Sequence, residues 1–263
     1  MDLGLNGLRA VVTGGSSGIG LATVRMLLAD GAKVAFCGRD EGRLAAALEP
    51  LRADYGDAVF AAPCDVLDAA AVEGFRDAVI DRFGGVDILV NNAGQGRLST
   101  FETTDDAAWR EEFEPKFFSV IRPTRAFQAA LEASDKAAIV IVNSLLARQP
   151  EPHMVCTSAL RAGIQNLQKS LSVELAPKGI RVNGILLGIV DSGQWQRRYE
   201  AQAKPGETKD EWMADLAAQK HILTGRLGRP EEPAAAIAFL AAPVASFITG
   251  ASLEVAGGVS RFA

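Results

Sequence analysis

The sequence is short of several things that would each have decided its class. Three cysteines in 263 residues, Cys37, Cys64 and Cys156, are odd in number and lie in apolar segments, so reduced thiols are expected rather than a disulfide or metal framework. No segment approaches the roughly 20 consecutive apolar residues that a membrane-spanning helix needs. The opening MDLGLNGLRAVVTGG carries no basic region, extended apolar run or small-residue cleavage site. A cytoplasmic protein with no membrane contact is the expectation. Basic charge is not in excess either: 27 Lys plus Arg stand against 32 Asp plus Glu, a net charge of −5 spread without long like-charged blocks. That balance argues against nucleic acid as a partner. Internal repeats and low-complexity tracts are missing, and there are only two tyrosines, Tyr55 and Tyr199.

What is present is hydrophobic and rich in glycine, 48% and 26 residues, enough for one large core, and a single domain over 1–263 is expected. Seven short apolar runs, RAVVTG, KVAFCG, AVFAAPCD, DILVNNAG, AAIVIVNS, IRVNGILLG and SLEVAGG, are separated by longer helical patterns. Each run is continuous rather than alternating, as strands covered on both faces require, and the intervals are long enough for crossover helices. The pattern predicts an α/β fold, a doubly wound parallel sheet with helices on both faces. The interval of about 188–230 breaks the rhythm: it is polar, holds Trp195 and Trp212, and contains AKPGET. It is expected to form a helical flap over the carboxyl edge of the sheet, where ligands bind in this architecture.

The first strand ends in TGGSSGIG, which places Gly14, Gly18 and Gly20, with Ser16, Ser17 and Ile19 between them, in the turn that opens a helix. Glycine lets the backbone turn tightly and approach a pyrophosphate, whose charge the unpaired N–H groups of the helix N-terminus stabilise. The strand before the turn and the amphipathic helix after it raise the match above chance.

The spacing G-x-x-x-G-x-G is joined by CDV at Cys64 to Val66, NNAG at Asn91 to Gly94, Ser144 after the fifth strand, IRVN at Ile180 to Asn183 and ITG at Ile248 to Gly250. With these motifs the whole chain resembles the short-chain dehydrogenase/reductase family. The resemblance implies a Rossmann-like, seven-stranded sheet and hydride exchange between a nicotinamide and a carbonyl or alcohol. It also implies that Asp65 and Val66 face the adenine, that Asn92, Ala93 and Gly94 pass beneath the cofactor, that Gly188 and Val190 after the sixth strand bind the cofactor, and that the protein is a homotetramer, with a dimer as the fallback. Where an NAD-preferring member carries an acidic residue after strand two, this chain has Gly38 and then Arg39. A guanidinium suits a 2′-phosphate, so NADP(H) is expected in preference to NAD(H).

At the catalytic end the resemblance implies a serine, a tyrosine, a lysine one turn later and an asparagine in the fourth helix. Only the serine, Ser144, is in place. Thirteen residues on, Thr157 stands where the tyrosine belongs; Arg161 takes the lysine position, and a count of seven from Trp109 puts Lys116 at the asparagine, with Pro115 able to shift that count. The proline after strand six is replaced as well, by Leu187 before Gly188, with Ser192 where a threonine is usual. An aliphatic hydroxyl is too weak an acid to be tuned as a phenol is, and arginine keeps its proton, so binding survives these changes better than the usual chemistry does.

Three groups are candidates for the missing proton. His153, one turn before Thr157, comes first because imidazole titrates near neutrality. Lys116 comes second, its pKa pushed down by Arg161 or its charge serving as an anchor for an anionic substrate. Tyr199 would need the flap to fold inward. Trp195 and Phe117 are read either as pocket walls or as core. The reading favoured is an NADP(H)-dependent oxidoreductase on a small-molecule carbonyl or alcohol with an atypical proton donor. Its alternative is a silent cofactor-binding sensor or regulatory subunit. A lyase or dehalogenase use of the fold fits less well, because the dinucleotide loop is intact.

Overall fold

Neighbouring residues of the apolar runs face opposite ways, and that alternation builds two cores from one sheet. In the computed structural model, which describes residues 2–94 and 96–261 and gives the backbone alone for Gln194 and Arg197, Val12, Val34 and Phe36 pack on one face. Val11, Ala35 and Leu89 pack on the other. The strands are β1 (Arg9–Thr13), β2 (Lys33–Gly38), β3 (Val59–Pro63), β4 (Ile88–Asn91), β5 (Ala138–Ser144), β6 (Arg181–Leu187) and β7 (Ser252–Val255), all parallel in the order β3-β2-β1-β4-β5-β6-β7. The expected seven-stranded, doubly wound sheet is therefore the one observed.

One face is covered by α1 (Gly18–Ala29), α2 (Glu41–Tyr55) and, much later in the chain, α8 (Glu231–Ala241). The other is covered by α3 (Ala69–Phe83), α4 (Asp106–Glu132) and α5 (Val155–Leu175). Aspartates at the starts of α2, α3 and α4 cap them: Asp40, Asp68 and Asp105 each accept from backbone N–H groups of the first turn. Between β6 and α8, inside the interval read as a flap, lie α6 (Gly193–Gln202) and α7 (Lys209–Gln219), the second opened by a capping box of Thr208 and Glu211.

Helix α4 matters most for the site. Pro115 and Pro123 lie within it without ending it, so Trp109 and Lys116 stand on one continuous helix. Its buried stripe runs Glu112, Lys116, Ser119, Val120, Pro123, Thr124, Phe127 and Leu131, the three- and four-residue spacing of one helix face. Two charged residues thus continue the line of the core side chains. No described helix is long and apolar enough to cross a membrane.

Candidate active site

β1 and β4 are adjacent although α1 through α3 lie between them in sequence, and at the carboxyl ends of the strands a cleft of about 940 Å³ opens. The turn after β1 forms its floor. Gly14 and Gly18 have φ of +67° and +52°, which glycine adopts without strain. A Cβ on Gly20 would lie 2.2 Å from the Gly14 carbonyl oxygen, and one on Gly38 would lie 3.0 Å from Ser16 Oγ. The turn is tied to NNAG by Thr13, whose Oγ1 accepts from the N–H groups of Asn92 and Ala93 at 3.0 and 3.1 Å. In return Asn92 Nδ2 donates to the carbonyls of Thr13 and Gly14 at 3.0 and 3.1 Å.

Most residues expected at the cofactor line this cleft: Gly14, Ser16, Ser17, Ile19 and Gly20 at its floor, Arg39 and Val66 at one end, and Asn92, Ala93, Gly94, Gly188 and Val190 towards the other. Two do not. Gly18 opens α1 without lining the cleft, and the Asp65 carboxylate turns back to accept from the Leu67 N–H at 3.0 Å. Arg43, which the sequence reading passed over, lines the cleft beside Arg39 and pairs with Asp40 at 3.3 Å.

At the far end, α5 lays Thr157 and Arg161 along the cleft, one turn apart. Arg161 Nη1 donates to the Val142 carbonyl at 3.2 Å, and its guanidinium is near enough to Gly94 that a Cβ there would lie 3.7 Å from Nη2. Burial lowers its pKa to about 10, with Glu112 acting in the other direction, so it remains a cation at neutral pH. Ser144 caps the short turn after β5 and accepts from the Leu146 N–H at 3.3 Å.

Behind Thr157 lies a buried ionic cluster centred on a residue that sequence reasoning missed. Glu112 Oε1 accepts from Thr157 Oγ1 at 2.7 Å and from Lys116 Nζ at 2.6 Å, and the three residues are 4%, 1% and 3% exposed. Thr157 Oγ1 also accepts from the Arg97 N–H at 3.3 Å and lies 3.1 Å from the Arg97 carbonyl. Lys116 therefore reaches Glu112 rather than the open cleft, which corrects the expectation of an open anchor for an anion. Burial above all, and then Arg161, lower the lysine pKa, while Glu112 works to raise it. The signal that would have revealed Glu112 was available: it lies four residues before Lys116, one turn along the same helix face.

A second cavity of about 330 Å³ adjoins the cleft and shares Ser144, Leu146, Met154, Leu187 and Trp195 with it. His153 lines this second cavity, and its imidazole makes no hydrogen bond among the described residues. Its backbone has φ of +62°, an uncommon conformation for a non-glycine residue. Tyr199 is committed elsewhere: its hydroxyl donates to the Glu207 carbonyl at 2.9 Å and its ring packs edge-on against Trp212, so it does not reach the nicotinamide end. Trp195 is a pocket wall, whereas Phe117 packs against the core.

The residues present fit a dinucleotide. The glycine floor is a cradle that added Cβ atoms would fill, and at the inner end Arg161 Nε and Asn143 Oδ1 are buried without a hydrogen-bond partner among the described residues. Fold and cleft together define a Rossmann-type protein built to hold a nucleotide. Residues 9–203 match the family described as short chain dehydrogenase. Among solved structures, the apo form of a short-chain oxidoreductase from Pseudomonas aeruginosa PAO1, described as containing an atypical catalytic center, is 57% identical, with 100% of each chain covered and a TM-score of 0.96. The NADPH-bound form of that protein is 57% identical over 98% of this chain and 100% of its own, with a TM-score of 0.93. A curated relative, the cis-4-hydroxycyclohexanecarboxylate dehydrogenase of Sinomonas cyclohexanicum, is 37% identical over 95% of both chains. The chain belongs to the short-chain dehydrogenase family, a class of oxidoreductase enzymes.

Proposed function

We propose that this protein is an NADP(H)-dependent oxidoreductase of a small carbonyl or alcohol substrate, in which a buried Lys116–Glu112–Thr157 chain takes the place of a phenol as proton source. The observation that carries the reading is the pair of short hydrogen bonds converging on Glu112 Oε1 directly behind the cleft wall. Gly14, Ser16, Ser17, Ile19, Gly20, Val66, Asn92, Ala93, Gly94, Gly188 and Val190 would hold the dinucleotide, with Gly18 shaping the turn; Asp65 serves by shaping the loop that carries Val66. Arg161 would bind the nicotinamide ribose. Bound there, the nicotinamide supplies or accepts a hydride.

The chain supplies the matching proton. Ser144, at the junction of the two cavities, holds the substrate oxygen. In reduction, the oxygen that gains charge takes the Thr157 hydroxyl proton, Thr157 Oγ1 takes one from the Glu112 side, and Glu112 is restored to a carboxylate that has passed on the Lys116 proton. Lys116 is left neutral and recovers a proton from solvent. A threonine hydroxyl is a poor acid by itself but serves in such a chain, because the acidity is that of the lysine behind it. A second reading keeps His153 as the donor, favoured by its place in the cavity that also contains Ser144.

NADPH is expected to bind about tenfold or more tightly than NADH, and Arg39→Asp to reverse the order, since a charge-assisted phosphate contact is worth about 1.5–3 kcal/mol. Fluorescence titration of both cofactors measures this, and equal affinities in the unaltered protein would contradict it. The proposal extends to a cytoplasmic homotetramer, supported by exposed apolar residues such as Val173 on α5 and Leu253 on β7. Phe262 and Ala263, which end the C-terminal segment, lie outside the described residues. Light scattering at micromolar concentration should give the mass of four chains; a monomer is the contrary result.

A further inference from the structure

The second cavity carries a charge that its walls do not neutralise. Its acidic residue, Glu151, is taken up by Lys220 at 2.6 Å, whereas Arg198, which also lines it, has no carboxylate within 4.0 Å among the described residues. The Arg198 guanidinium is not a free surface group: it lies over the Trp195 ring, 4.6 Å from the centroid, and Trp195 forms a wall common to both cavities. Stacking satisfies the face of a guanidinium and leaves its edge donors free, the set that matches a carboxylate with two parallel hydrogen bonds. A cation so placed on a chain of net charge −5 is a local reversal of sign. The same cavity is also walled by the apolar side chains of Leu146, Leu187 and Val259. Its volume, about 330 Å³, suits a small molecule.

We infer that the substrate is an oxo-acid, or the matching hydroxy-acid, whose reacting oxygen sits at Ser144 and whose carboxylate is held by Arg198 across an apolar spacer. A monoanion is specified because one cation is spare once Lys220 has paired with Glu151. The inference rests on the proposed oxidoreductase reading for the end at Ser144, and it places the anion on α6 rather than on Lys116 and Arg161. Arg198 acts in recognition, so its loss weakens binding and raises KM more than it lowers kcat.

The test is calorimetric and needs no turnover. Levulinate and its longer-chain oxo-acid homologues, each beside its methyl ester, are titrated into the full-length protein saturated with NADP+. At one or more chain lengths the acid is expected to bind about 10- to 100-fold tighter than its ester, the value of a charge-assisted contact. Arg198→Gln should erase that difference while leaving ester affinity in place, and Arg198→Lys should keep part of it. Equal binding of acid and ester throughout the series, a preference that survives Arg198→Gln, or no binding of any member at millimolar concentration would each overturn the inference. Should NADP+ itself fail to bind, the oxidoreductase reading fails first, and the same acid-to-ester comparison on the protein alone still decides the role of Arg198.

Discussion

Glu112→Gln is expected to lower kcat for carbonyl reduction by about 10²- to 10⁴-fold, the usual range for a lost general acid, with NADPH affinity little changed. The amide keeps the shape of the side chain but interrupts proton passage between Lys116 and Thr157, which share Glu112 Oε1 at 2.6 and 2.7 Å. Because the change also leaves Lys116 and Arg161 without their buried counter-charge, the double variant Glu112→Gln with Lys116→Met is needed beside it. Removing both members of a buried pair disturbs a fold less than stranding one. The double variant should fold, bind NADPH and remain as slow as the single one.

The pH profile separates a proton relay from a merely structural role. Burial and Arg161 hold the Lys116 pKa below its ordinary value, and reduction requires the protonated ammonium, so the rate should fall as pH rises through that lowered value. Alcohol oxidation, which needs the neutral amine, should rise over the same interval. Both limbs should vanish in the double variant. A full reduction rate in Glu112→Gln, with His153→Ala losing about 10² or more, would move the donor to His153.

Gly20→Ala is the second change expected to have a large effect, and it acts on the cradle. The new methyl would lie 2.2 Å from the Gly14 carbonyl oxygen and 2.5 Å from Asn92 Nδ2, the atom that ties the turn to NNAG. Neither can yield without opening the floor of the cleft. A loss of about 1–3 kcal/mol of stability is expected from such overpacking, with NADPH affinity reduced about 100-fold or more. Gly18→Ala is the control: its φ of +52° strains an alanine, but a Cβ there meets no atom within 4 Å, so about 1–2 kcal/mol of strain is expected with the cleft intact. Thermal melts and cofactor titrations on the two variants distinguish them; identical behaviour would mean that backbone strain alone governs this turn.

The sheet was legible because its determinants are local and repeated. Continuous apolar runs such as KVAFCG and AAIVIVNS can be strands only if both faces are covered, and β2 and β5 are. The phosphate turn was legible because few residues other than glycine fit where Gly14 and Gly20 lie. The catalytic end was only half legible. Thr157 and Arg161 are found by their distance from Ser144, but what Thr157 touches depends on how α4 packs against α5, and no spacing within one helix states that. Position in the sequence leaves Lys116 open to the cleft, whereas the fold buries it against Glu112 one turn earlier. The Asp65 carboxylate turns onto its own loop, a local bond that competes with any ligand and leaves no trace in a motif. Tyr199 is drawn to the Glu207 carbonyl by the fold of the 188–230 interval.

Whether the chain transfers a hydride is read by following the hydride itself. The protein is incubated with NADPH deuterated on the transferable face of the nicotinamide and a panel of oxo-acids and neutral ketones, and the alcohols formed are read by mass spectrometry. Deuterium at the carbinol carbon is expected with the unaltered protein, and it should fall by about 10²-fold or more in the Glu112→Gln, Lys116→Met variant at equal cofactor occupancy. Tight NADPH binding with no deuterated alcohol from any panel member would contradict the account and assign the chain to cofactor sensing instead.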